Sequence, residues 1–216
     1  IKMAVLAKRL NEEPGIDHKI CVTGQHREML DQVLQLFEIK PDFDLNIMQH
    51  GQDLTDVTCR VFTGIRDLFK NTWKPDLVLV HGDTSTCFAA ALAAFYAGIE
   101  IGHVEAGLRT GNLQSPFPEE ANRVLVSRIS NYHFAPTQKN VENLIIEGVQ
   151  PDKIILTGNT VIDSLLYISE KLTGFTEKTG KTVLPKLIDD HKKYILITGH
   201  RRENFGEGFI QICEAI

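Results

Sequence analysis

Five times along this 216-residue chain a short apolar run ends in a polar turn that opens a helix. The runs cover 19–23, 77–80, 99–104, 153–157 and 194–198. The turns are Gly24-Gln25-His26-Arg27, His81-Gly82-Asp83-Thr84, Glu105 with the loop after it, Gly158-Asn159-Thr160, and Gly199-His200-Arg201-Arg202-Glu203. Apolar runs this short, alternating with helix-length segments, predict parallel strands joined by helical crossovers. The fold class expected is therefore α/β, a doubly wound parallel sheet. Ligands of such sheets sit outside the carboxyl ends of the strands, where these polar turns fall. Each turn also leads into a helix amino terminus, whose free N–H groups and positive dipole favour anions, so a phosphorylated ligand is expected.

Helices are predicted over 1–10, from Gln25 with Met29, Val33, Leu36 and Phe37 on one face, and over 52–70 with Leu54, Val57, Val61, Ile65 and Leu68 at helical spacing. Further helices are expected over 87–97, 119–130, 137–147 and 161–172. The stretch 173–190, with Gly174, Gly180, Pro185 and many charges, reads as a linker. One Rossmann-like domain is expected over 1–160. Linker and the opening of a second such domain are expected over 161–216. Both ends read as cut inside helices, so the chain is expected to be an excerpt of a longer protein.

The formal charge of −5 and the lack of Lys/Arg runs disfavour a nucleic-acid surface. No apolar stretch is long enough to span a bilayer, and no N-terminal segment reads as a signal peptide. Cys21, Cys59, Cys87 and Cys213 show no C-x-x-C pairing and are expected to be reduced, buried thiols; no Cys/His cluster has zinc-ligand spacing. There is no G-x-x-x-x-G-K-[ST]. The nearest approach to G-x-G-x-x-G, at Gly206-Glu207-Gly208, lacks the third glycine and does not directly follow a strand.

A polar loop follows the run 99–104. It begins at Glu105, continues through Arg109, Thr110, Asn112, Gln114 and Ser115, and closes on Pro116, Pro118 and the acid pair Glu119-Glu120. It reads as one wall of an active site. Each candidate also has a plainer reading. Asp83 is placed to cap the next helix, Glu105 to pair with Arg109, and Glu119 and Glu120 to complement a helix dipole. Arg201 and Arg202 suit a solvated face. His103, inside an apolar strand, reads as a satisfied core histidine, whereas His26 and His200 stand in turns suited to ligand contact.

Five motifs, H-G-D-T at 81–84, H-V-E-A-G-L-R-T at 103–110, P-E-E-A-N-R at 118–123, T-G-N-T-V-I-D at 157–163 and T-G-H-R-R-E-N at 198–204, run in order along the chain. In these the sequence closely resembles the bacterial non-hydrolysing UDP-N-acetylglucosamine 2-epimerases. The resemblance implies a GT-B architecture of two Rossmann-like domains, a cytoplasmic homodimer, and no metal or redox cofactor. It implies a substrate pair of UDP-N-acetylglucosamine and UDP-N-acetylmannosamine, with N-acetylmannosamine passed to surface polysaccharide. It further implies inversion at C2 by elimination and re-addition of UDP. Carried over by position, Asp83, Glu105, Glu119 and His200 are the expected catalytic residues. Lys2, Arg201, Arg202 and Glu203 are the expected substrate contacts. Some family members bind a second sugar nucleotide as activator at a Q-H-R-Q turn; here Gln25 and Glu28 are the corresponding positions, and Gly51 stands where an arginine is expected. Rival readings are the hydrolysing branch of the family, a GT-B glycosyltransferase, and a non-catalytic sugar-nucleotide sensor.

Overall fold

A computed structural model describes residues 1–25, 27–179, 195 and 206–216. It divides into two compact units, Ile1–Glu170 and Lys171–Ile216. The expected boundary at 160/161 stood at the start of a helix; this division falls within that helix.

The first unit is α/β. In chain order it contains α1 (Ala4–Glu12), β1 (Cys21–Val22), α2 (Arg27–Phe37), β2 (Phe43–Asp44), α3 (Leu54–Asn71) and β3 (Leu77–His81). There follow α4 (Ser85–Tyr96), β4 (Glu100–Val104), α5 (Glu119–Ile129), β5 (Tyr132–Ala135), α6 (Gln138–Ile146), β6 (Ile154–Leu156) and the start of α7 (Thr160–Thr179). Every strand pair is parallel. The strands form two sheets, β1-β2 and β3-β4-β5-β6. The apolar run 77–80 was expected to be a central strand. Among the described residues β3 is instead an edge, paired with β4 alone, and Leu77 is exposed.

Both sheets share one core. Val57, Val61, Ile65, Leu68 and Phe69 of α3 pack with the alanines of α4 and with Val80, Ile99, Ile101 and Val126; Cys21, Phe43 and Leu45 pack against the same cluster. Helix α4 presents Ala89, Ala91, Ala93 and Ala94, all buried, and small side chains let its backbone approach its neighbours closely. On α2 the expected face is buried only at Phe37, while Met29 and Leu36 are exposed.

Gly102 shows how tightly the sheet is filled. A Cβ there would lie 2.6 Å from Leu79 Cδ2 and 3.0 Å from Phe134 Cε2, so the side chains of both flanking strands occupy the space. Helix ends follow local chemistry. Asp53 caps α3 in a reciprocal capping box with Asp56, Thr84 caps α4, and Thr137 caps α6.

The register sets the site. His81 pairs with Val104, Val104 with Phe134, and Phe134 with Ile155. The strands thus end at one level, and the turns that follow share one edge of the sheet. Backbone bonds continue the ladder past the strand ends, from Gly82 N–H to Val104 O (3.0 Å) and from Ala106 N–H to Phe134 O (3.0 Å).

In α7 the helical backbone continues through Gly174 to Thr179, across part of the stretch expected to be linker. A single glycine costs a helix only about 1 kcal/mol, which its neighbours readily offset. In the second unit, α8 (Glu207–Glu214) follows Gly206, whose φ of 88° suits glycine. The expected strand 194–198 (Ile195 apart) and turn 199–204 lie outside the described residues. Cys21 and Cys87 are wholly or partly buried, but Cys59 and Cys213 are exposed, correcting the expectation of four buried thiols. No helix among the described residues is long and apolar enough to cross a membrane.

Candidate active site

Asp83 lies in the turn after β3. The turn needs Gly82, whose φ is 71°, and it brings this glycine beside Glu105: a Cβ on Gly82 would be 3.8 Å from Glu105 Oε2. The alternative that Asp83 caps α4 is not what the structure shows. Thr84 does so, its hydroxyl accepting from Cys87 N–H at 3.2 Å, and this leaves the Asp83 carboxylate for other partners. Four contacts hold the turn. His103 Nε2 meets Gly82 O at 2.7 Å, and Cys87 Sγ lies 3.4 Å from the same oxygen. Asn122 Nδ2 donates to Asp83 O at 2.8 Å, and Arg123 Nη2 donates to Asp83 Oδ2 at 2.6 Å. Burial pushes the Asp83 carboxyl above its ordinary pKa; Arg123 opposes this, while the charges of Glu119 and Glu105 add to it.

Glu105, at the end of β4, has φ 64°, a left-handed backbone that is uncommon for a residue with a Cβ and typically costs about 1–3 kcal/mol. Its Oε1 accepts from Lys2 Nζ at 2.5 Å and from Asn159 Nδ2 at 2.7 Å; its Oε2 stands 3.4 Å from His81 Nε2. The alternative that Glu105 pairs with Arg109 is not what the structure shows. Burial alone would raise the Glu105 pKa, but the hydrogen bonds from Lys2 and Asn159 and the neighbouring His81 outweigh it and hold the group below its ordinary value. Burial makes His81 a weaker base than usual despite the carboxylate beside it.

Arg109 anchors the loop instead. Its guanidinium forms a fork with Glu147 at the carboxyl end of α6, Nε to Oε1 at 2.6 Å and Nη2 to Oε2 at 2.9 Å, and it also donates to Ser127 Oγ at 3.0 Å. Gly107, with φ 86°, passes so close to α6 that a Cβ would lie 2.4 Å from Asn140 O.

The acid pair at the start of α5 divides its duties. Glu120 is 1% exposed, and its Oε1 accepts from the backbone N–H groups of Thr110 (2.9 Å) and Gly111 (3.0 Å). Glu119 is only partly buried, and its charge is felt at Asp83. His103 is fully buried as expected of a core histidine, its pKa lowered to about 4 chiefly by burial.

Of the expected site residues, Lys2, Asp83, Glu105 and Glu119 are gathered at one sheet edge. His200, Arg201, Arg202 and Glu203 lie outside the described residues, as does His26. Gln25 Oε1 accepts from Thr86 Oγ1 at 3.1 Å, and Glu28 is exposed in the first turn of α2. Individual roles for Asn122, Arg123 and Asn159 went unread in the sequence, and Glu120 was read only as a complement to the helix dipole. The available signal was spacing: Glu120 and Arg123 stand three apart on a helix and so face each other. A separate cavity of about 450 Å³, lined by α1, the end of α2 and the segments before β1 and β2, opens at the amino ends of the strands, away from these carboxylates.

A family model described as UDP-N-acetylglucosamine 2-epimerase matches residues 8–216. The chain belongs to the UDP-N-acetylglucosamine 2-epimerase family. It is 55% identical, over its whole length, to the UDP-N-acetylglucosamine 2-epimerase of Campylobacter jejuni, and 54% identical to that of Escherichia coli K12. It spans 57% of the length of each. Among solved structures, the Neisseria meningitidis UDP-GlcNAc 2-epimerase bound to UDP-GlcNAc superposes with a TM-score of 0.92 at 53% identity, over 99% of this chain and 58% of that one. The Methanocaldococcus jannaschii UDP-GlcNAc 2-epimerase in complex with UDP-GlcNAc and UDP matches at 34% identity with a TM-score of 0.72, over 82% of this chain and 47% of that one. The epimerase family resemblance and the α/β fold of parallel sheets, GT-B-like in these neighbours, thus stand.

Proposed function

We propose that the longer protein carrying this chain interconverts UDP-N-acetylglucosamine and UDP-N-acetylmannosamine without hydrolysing them. The observation that carries the reading is the pair Asp83 and Glu105, on adjoining strand ends, with environments that push their pKa values in opposite directions. Two neighbouring carboxyls separated in this way suit complementary proton transfers, Asp83 taking up a proton more readily than Glu105.

The C2 hydrogen of the sugar is not beside a carbonyl, so direct removal by a base is not feasible. Eliminating UDP first would give a 2-acetamidoglucal. Returning the proton to the opposite face, with re-addition of UDP, would complete the inversion. The proposal assigns proton transfer at C2 to Asp83, Glu105 and Glu119, with His200 assisting. Diphosphate binding is assigned to Lys2 with Arg201, Arg202 and Glu203. Since Lys2 already neutralises Glu105, an arriving diphosphate would compete for that ammonium and alter the basicity of Glu105 as it binds. Possible activator contacts are assigned to Gln25 and Glu28. The homodimer, the cytoplasmic location and the supply of N-acetylmannosamine to surface polysaccharide belong to the same proposal, supported by family membership.

We propose also that residues preceding Ile1 add a parallel strand between β1 and β3, completing a Rossmann-like domain over 1–160, with a second such domain opening in 161–216. Support comes from the single core that already spans both sheets.

The test is proton NMR of the full-length protein with UDP-N-acetylglucosamine in deuterated water. UDP-N-acetylmannosamine with deuterium at C2 of both sugars is the expected result. Free N-acetylmannosamine accumulating with UDP would overturn the non-hydrolysing reading, and unchanged sugar would overturn epimerisation.

A further inference from the structure

Between the two carboxylate turns runs a chain of buried contacts that proton transfer alone does not require. Glu120, 1% exposed, uses Oε1 to hold the backbone N–H groups of Thr110 and Gly111. Its Oε2 makes no hydrogen bond and faces Arg123 Nη1 at 3.5 Å. Arg123, its side chain 11% exposed, extends Nη2 to Asp83 Oδ2 at 2.6 Å. From the same helical turn Asn122 secures the Asp83 carbonyl at 2.8 Å. Thus α5 touches the loop after β4 with one residue and the turn after β3 with two.

We propose that Arg123 is a positioning residue that fixes one oxygen of Asp83 and ties it, through Glu120, to the loop at Thr110–Gly111. A guanidinium suits this task. Its rigid fork reaches two carboxylates at once and stays charged when buried, whereas an ammonium would act as a single point charge. With Oδ2 occupied, Asp83 presents its other oxygen for proton exchange, and any movement of the loop reaches that oxygen through Glu120 and Arg123. The inference rests on the reading of Asp83 as a proton-transfer group.

The groups facing Asp83 define its electrostatics. Arg123 and Glu119 approach from α5, Glu105 from the end of β4, His81 from the end of β3, and Cys87 from α4; Lys2 stands beyond, on Glu105 and His81. Of these, Arg123 is the cation in contact, and it opposes the upward push of burial, Glu119 and Glu105. Removing it raises the Asp83 pKa, so the fraction ionised falls first at acidic pH.

The experiment compares full-length wild type with Arg123→Lys and Arg123→Gln. It measures kcat and KM across pH, and the Asp83 carboxyl by ¹³C NMR titration. In Arg123→Gln, kcat is expected to fall about a hundredfold with KM nearly unchanged, as for a displaced reacting group. The acidic limb of the profile and the carboxyl titration should both move to higher pH. Arg123→Lys should recover part of both effects. A folded variant whose limb and carboxyl titration coincide with wild type would overturn the proposal, as would a rise in KM at unchanged kcat. If Arg123→Gln fails to fold, Arg123→Lys decides by the same criteria. A wild type that does not epimerise would instead overturn the reading beneath the proposal, and the carboxyl titration would still report whether Arg123 holds Asp83.

Discussion

Asp83 and Glu105 stand just beyond the ends of paired strands, close enough that a Cβ on Gly82 would touch the Glu105 carboxylate. Their surroundings differ in kind. Glu105 meets an ammonium, an amide and an imidazole, and its ionised form is favoured. Asp83 has one cation and two nearby carboxylates, and its carboxyl is pushed above its ordinary pKa. Burial acts on both in the same direction, so the opposite outcomes come from partners. The partners come from different places. Those of Glu105 arrive from distant parts of the chain, Lys2 ahead of α1 and Asn159 before α7. The side chains that hydrogen-bond Asp83 come from a single helix, α5. Backbone geometry follows the same contrast: Glu105 occupies a left-handed conformation, whereas at the Asp83 turn the positive φ belongs to Gly82.

The comparison breaks most directly at Glu105. In the full-length enzyme, Glu105→Gln keeps the shape and removes the charge, and turnover is expected to drop by about 10²- to 10⁴-fold. Near-normal turnover, measured by epimer formation, would show that the ionised carboxylate is not needed.

His103 supports the Asp83 side of the comparison, since it holds Gly82 O. Its pKa falls from 6.5 to about 4 on burial. Between those values the unfolded chain binds more protons than the folded one. The contribution is thus fully present above about 6.5 and is lost as pH falls toward 4, by about 3 kcal/mol at 1.36 kcal/mol per unit. Urea unfolding across that range should show the loss, and His103→Gln should flatten it. An unchanged slope in the variant would assign the pH dependence to other groups.

A smaller effect sharpens the comparison further. Thr84→Ala removes the cap of α4 next to Asp83 and should cost about 1 kcal/mol in urea unfolding. If Asp83 took over as cap, the cost would shrink and the carboxylate would leave Arg123, which the Asp83 carboxyl titration would report.

The reach of sequence reasoning varied along the chain. Parallel strands, crossover helices and the placement of Asp83 and Glu105 just beyond strand ends were legible because periodicity and turn composition are local signals. Four features were not. That Thr84 rather than Asp83 caps α4 depends on the backbone angles of the turn. That Arg109 pairs with Glu147 rather than Glu105 depends on α6 lying beneath the loop. The continuation of α7 past Gly174 shows that a composition signal for linker can lose to helix propagation. That β3 pairs with β4 alone among the described residues could not be read from its apolar sequence, because hydrophobicity reports burial of faces and not pairing of edges.

By itself, then, the sequence determined the alternation of strand and helix, the edge of the sheet where the polar turns gather, and the family. Tertiary structure alone decided which partner each carboxylate received. Two acids in similar turns read alike as letters, but a carboxyl's protonation depends on charges and hydrogen-bond donors a few ångströms away, and here Lys2 and Arg123 supply the cations and Asn159 a neutral amide donor, positions brought together only by packing.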